Sequence, residues 1–98
     1  MIRHIVLWRL LSPSGDKQQV VDKIRAALEA QRGKIPGLLR VEVGENLSAS
    51  RRAVDFALVM DFDSRDALAS YHKHPAHLAT RQVVDPLIDE HWIADYEI

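Results

Sequence analysis

Residues 54–62 read Val54-Asp55-Phe56-Ala57-Leu58-Val59-Met60-Asp61-Phe62. In an extended chain Val54, Phe56, Leu58, Met60 and Phe62 share one side. The other side holds Ala57 and Val59 in the middle and Asp55 and Asp61 at the ends. A period of two marks a β-strand, and apolar residues on both sides mean that both faces need cover. Ile2–Leu10 has the same character: Ile2, His4, Val6, Trp8 and Leu10 alternate with Arg3, Ile5, Leu7 and Arg9.

The segments around these strands complete the fold. Ser12-Pro13-Ser14-Gly15 predicts a turn, and Asp16–Arg32 an amphipathic helix with Val20, Val21, Ile24, Ala27 and Leu28 on its stripe, broken only by Gln31. Gly33 suits the helix C-terminus, and Pro36 prevents resumption. Val41–Gly44 predicts a second strand with a bulge at Gly44, and the polar run Asn46–Arg52 a loop. Ser64 is placed to cap a short helix through Tyr71 and His72, and Pro75 to start another running to about Val84. Asp85-Pro86 ends that helix, and Trp92–Ile98 predicts the last strand. Strand, helix, strand, strand, helix, strand is the α+β, ferredoxin-like βαββαβ arrangement: a four-stranded antiparallel sheet with helices on one face, in a single domain over residues 1–98.

One layer of helices leaves the second sheet face bare. That face is expected to carry Ile5, Leu7, Ala57, Val59 and Ile93, with Arg3, Arg9, Asp55, Asp61 and Asp95 towards the strand ends; Trp92 and Tyr96 are expected on the helix side with Val6, Trp8, Phe56, Leu58 and Met60. A patch of that size calls for a partner, and a two-fold homodimer through this face is the expected solution.

Composition narrows the functional classes. The chain has 98 residues, 13 basic and 14 acidic side chains and a net charge of -1, which offers no field for nucleic acid or an anionic membrane. It has no cysteine, so disulfides and thiolate metal sites are excluded and a reducing, cytoplasmic setting fits. The apolar start Met1–Leu10 is too short for a membrane span.

Chemistry concentrates in Tyr71-His72-Lys73-His74-Pro75-Ala76-His77, which holds three of the five histidines. His77 with Tyr71 is the candidate catalytic pair: an imidazole that takes a proton α to a carbonyl, and a phenol that donates to the developing enolate oxygen. His4, His74, Phe56 and Leu58 are the expected pocket lining, and His72 is expected to face solvent. No metal or other cofactor is expected, because offsets of two and five residues do not align His72, His74 and His77 on one helical face. The acidic cluster Asp61, Asp63 and Asp66 reads as helix capping and a solvated edge.

Taken with His4 in the first strand, Ile35-Pro36-Gly37, Asp55–Val59 and Phe62, the run Tyr71…His74-Pro75-Ala76-His77 resembles the stress-responsive α/β-barrel (Dabb) domain family over nearly the whole chain. The resemblance implies a homodimer whose two sheets form a barrel. It also implies, from a plant polyketide cyclase of that family, cofactor-free carbonyl chemistry with His77 as base assisted by Tyr71. Where that cyclase has aromatic residues on its first helix this chain has Arg25 and Leu28, and where it has a third-strand histidine this chain has Phe56. The two function classes carried forward are a small-molecule-binding or structural dimer and a carbonyl-acting enzyme; a cofactor-free oxygenase is a third.

Overall fold

The computed structural model describes residues 1–11 and 17–98; the expected turn at Ser12–Gly15 and the helix start at Asp16 lie outside the described residues. In chain order the elements are β1 (Ile2–Leu10), α1 (Lys17–Glu29), β2 (Leu38–Glu45), β3 (Phe56–Phe62), α2 (Arg65–Tyr71), α3 (Pro75–Val84) and β4 (Ile88–Glu97), with a 3₁₀ turn at Asp85–Leu87. The antiparallel sheet has the order β2-β3-β1-β4. The two strands that are apolar on both sides therefore lie in the centre.

Register sets the faces. Ile2 pairs with Phe62, His4 with Met60, Val6 with Leu58 and Trp8 with Phe56, and all eight are buried beneath the helices. Val21, Ile24 and Leu28 of α1 close over them, as the sequence stripe predicts. The stripe's one polar member, Gln31, is 1% exposed and follows the helix in a turn. β2 begins earlier than expected, at Leu38, and its irregularity lies between Leu38 and Arg40 rather than at Gly44.

The last strand departs furthest from the sequence reading. It begins at Ile88, and its two faces are the reverse of those expected. Ile93 pairs with Val6 and Asp95 with His4, so both point to the helix side; Trp92 pairs with Leu7 and Tyr96 with Arg3, so both point to the bare side. Aromatic bulk favours burial, but β4 is an edge strand with no helix packed closely over it. Its helix-side positions border a cavity, and its large apolar residues remain 40% (Trp92) and 45% (Tyr96) exposed on the other face. Ile93 therefore drops out of the expected dimer face, and Trp92, Ala94 and Tyr96 join Ile5, Leu7, Ala57 and Val59 there. On the same face Arg3 grips Asp61 with two hydrogen bonds, of 2.8 and 3.0 Å, which hold the Asp61 carboxyl below the usual carboxylate range.

The connection from α1 to β2 fixes α2. Gly33 and Gly37 both have positive φ, at 78° and 81°. A Cβ on Gly37 would sit 2.5 Å from the Ala67 Cβ and 2.8 Å from Asp63 Oδ1, whereas one on Gly33 would meet nothing within 4 Å. Gly37 also accepts the Asp63 N–H at 2.9 Å, just before Ser64 caps α2 through the Ala67 N–H at 3.1 Å. Gly33→Ala should cost about 1 kcal/mol of backbone strain. Gly37→Ala adds overpacking to that strain and should cost roughly 3 kcal/mol or more. Equilibrium urea unfolding of both variants separates the two effects, and equal losses would refute the close packing of Gly37 against α2.

Candidate functional site

The cavity follows from the break between α2 and α3. His74 precedes Pro75 and is extended (φ −70°, ψ 137°), so the chain turns and a new helix begins. Its ring Nδ1 accepts the Ala76 N–H at 3.0 Å. His74 is thus the N-cap of α3 and does not line the cavity. The turn brings Tyr71, at the end of α2, onto His77, at the start of α3: their ring centroids are 4.2 Å apart at 48°. Thr80, one turn on, ties α3 to α1 by donating to the Ala27 carbonyl at 3.3 Å, as well as to the Ala76 carbonyl within its own helix.

Beneath α3 lies a half-open cavity of about 110 Å³. Its floor is His4, Val6, Trp8 and Leu58 of the sheet; Leu28, Tyr71, His72, His77 and Thr80 form the helix side; Arg81, Asp85, His91 and Ile93 are also in the wall. Phe56 is not among the lining residues. It is fully buried, 5.9 Å from the Trp8 ring and under the Arg25 guanidinium. Arg25 turns from the cavity to donate to the Val43 carbonyl at 3.0 Å. Two histidines not assigned to the cavity on sequence line it. The His72 residue is exposed, but its ring lies 5.8 Å from those of His4 and His77, and His91 joins from β4.

Each polar group has a definable state. His4 Nδ1 is hydrogen-bonded to Asp95 Oδ1 at 2.5 Å, which orients the ring and leaves Nε2 as its other nitrogen. Asp95 reaches His4 because β4 presents it on the helix side, opposite to the face expected from the sequence. A buried histidine needs a partner, and that need is the sequence signal that would have found it. Burial pushes the Tyr71 hydroxyl up to about 12, with the neighbouring Gln31 side chain pulling the other way, so the phenol stays protonated. Burial first, and then the charges of His72, Arg81 and His4, bring His77 down to about 4. Burial also lowers His72. At neutral pH the His77 imidazole is therefore uncharged. Its Nδ1 is sealed from solvent with no hydrogen-bond partner, which leaves Nε2 as the nitrogen able to bond. An orphaned lone pair costs less than an orphaned N–H, so the proton belongs on Nε2.

A family model for the stress responsive A/B barrel domain, Dabb, matches residues 2–98. The chain belongs to the Dabb family. An uncharacterized protein of Streptomyces coelicolor is 40% identical over 80 residues, 81% of each chain. Among solved structures, a dimeric protein of unknown function and ferredoxin-like fold from Bacteroides fragilis is 30% identical with a TM-score of 0.86, over 99% of this Dabb chain and 95% of its own. A dimeric ferredoxin-like protein of unknown function from Thermobifida fusca is 28% identical with a TM-score of 0.86, over 99% and 90%. Among the described residues of this Dabb protein, no helix is long and apolar enough to cross a membrane, and no cluster of three or more His, Cys, Asp or Glu is arranged to hold a metal ion.

The state of His77 has a pH signature. The unfolded imidazole takes up its proton below pH 6.5 and the folded one only near pH 4. Between those values the unfolded chain binds more protons, so this residue's contribution falls as pH falls through the window. An NMR titration should find His77 unprotonated down to about pH 5, and His77→Gln should flatten the loss of melting temperature between pH 7 and 5. A His77 midpoint near 6.5 would refute the buried, neutral ring.

Proposed function

We propose that this protein is a cytoplasmic, homodimeric, single-domain Dabb protein that binds a small molecule in the cavity beneath α3. One observation carries the reading: Tyr71 and His77, in ring contact, line the same small cavity, and at neutral pH both are uncharged, one with an O–H and the other with a ring N–H. Both side chains border a largely apolar floor of Val6, Trp8, Leu28 and Leu58, which suits a compact apolar molecule carrying an acceptor oxygen. At about 110 Å³ the site is smaller than the roughly 150 Å³ engineered cavity that takes benzene, although it is open on one side. A long polyketide chain does not suit it. Tyr71→Phe removes only the hydroxyl from a buried ring and should weaken the binding of a small ketone such as cyclohexanone about fivefold to tenfold. NMR titration of the two proteins reads the difference, and shifts that avoid Tyr71 and His77 would sink the reading.

The dimer is the second part of the proposal. The bare sheet face carries Ile5, Leu7, Ala57 and Val59 with Trp92, Ala94 and Tyr96, too apolar to stay wet in a 98-residue chain. A second copy laid on it by two-fold symmetry would bury both patches. Leu7→Glu puts a charge at the centre of that face and should convert the dimer to a monomer in light scattering coupled to size exclusion. An unchanged mass would reject this face as the interface.

A catalytic reading, with His77 as base and Tyr71 as oxyanion donor on a carbonyl compound, is favoured by one observation: the ring stays uncharged down to about pH 4. It requires the proton on Nδ1, so that Nε2 offers a lone pair. The ¹⁵N shifts of His77 distinguish the tautomers; a protonated Nε2 favours binding and a protonated Nδ1 favours the base.

A further inference from the structure

The spacing along α3 adds a group that the binding proposal does not use. His77, Arg81 and Asp85 recur every four residues, so they stand on one face of the helix and its extension, and all three are in the cavity wall. Arg81 is the only lysine or arginine among the lining residues, and Asp85 is the only carboxylate. These two are paired with each other. Arg81 Nε and Nη2 both lie 3.0 Å from Asp85 Oδ2, and both side chains are about half exposed. An exposed i,i+4 pair is worth only a few tenths of a kcal/mol, so the guanidinium is readily given up to a better anion. The other acid near the cavity, Asp95, is engaged by His4.

We infer that the ligand of this pocket is a small carboxylate with a compact apolar body, its carboxyl group held between His77 Nε2–H and the Arg81 guanidinium in place of the Asp85 carboxylate. The inference rests on the binding reading above and names its ligand class. A carboxylate suits the donor set because each of its oxygens accepts, and a guanidinium meets it with two parallel donors. The apolar body then meets the buried Leu28 and Leu58 of the lining, while the carboxyl group meets the half-exposed Arg81.

The test compares benzoate with benzamide, a neutral molecule of nearly the same shape, by isothermal titration at pH 7. Benzoate should bind at least about tenfold tighter than benzamide, the difference expected for a charge-assisted bond over a neutral one. Arg81→Gln should remove that preference, and Arg81→Lys should restore part of it. Asp85→Asn, which frees the guanidinium, should tighten benzoate while leaving benzamide unchanged; a merely structural ion pair would not move affinity in that direction. Both side chains are on the surface, so the variants should fold, and melting curves check that they do. Equal affinities for the two probes, or benzoate binding that is indifferent to Arg81→Gln, overturn the carboxylate inference and leave the pocket standing. Failure of both probes to perturb His77 and Tyr71 resonances overturns the inference and the binding reading together.

Discussion

Two central strands that are apolar on both sides cannot be satisfied by a single layer of helices. β1 and β3 impose that constraint, and the other elements answer it. α1 and the α2–α3 pair cover the face of Val6, Trp8, Phe56, Leu58 and Met60. The opposite face keeps Ile5, Leu7, Ala57 and Val59 half-buried at best in a lone subunit. The same constraint shapes β4. As an edge strand it turns Trp92, Ala94 and Tyr96 to the bare face and gives its other side to the helix side, where His91 and Ile93 line the cavity and Asp95 bonds His4. Cavity and bare face are thus two results of one register.

Within the cavity, burial determines the chemistry more than residue type does. Tyrosine and histidine are both able to donate or accept. Partial desolvation removes the choice: it keeps the Tyr71 proton in place and keeps the His77 ring neutral, with Nδ1 walled off. His4, by contrast, has a carboxylate at its Nδ1 and so a fixed orientation. The imidazoles of His4 and His77, which share one small space, are therefore not equivalent.

The sequence was most legible where periodicity met strong punctuation. β1 has the bounds that alternation predicts, Ser64 and Pro75 start the helices they were expected to start, and Val21, Ile24 and Leu28 face the core. The pairing of Tyr71 with His77 was suggested by the motif, but its distance was not, because the chain direction changes at His74 by an angle that no spacing encodes. The least legible element was β4. Alternation separates His91, Ile93 and Asp95 from Trp92, Ala94 and Tyr96 but does not say which set faces inward. Hydrophobicity gave the wrong answer, since the more apolar set lies on the bare face. Phe56, expected in the pocket, shares a strand face with Leu58 but lies outside the cavity; two residues along that strand is far enough to pass from cavity floor to closed core.

The Thr80 hydroxyl ties α3 to the Ala27 carbonyl of α1. The sheet, by contrast, is bonded along its whole length. Frame and wall are therefore separable for protein engineering. A library confined to residues 81, 84 and 85, with Thr80 and the His74 cap retained, would vary the pocket's selectivity while leaving the sheet that the fold rests on untouched.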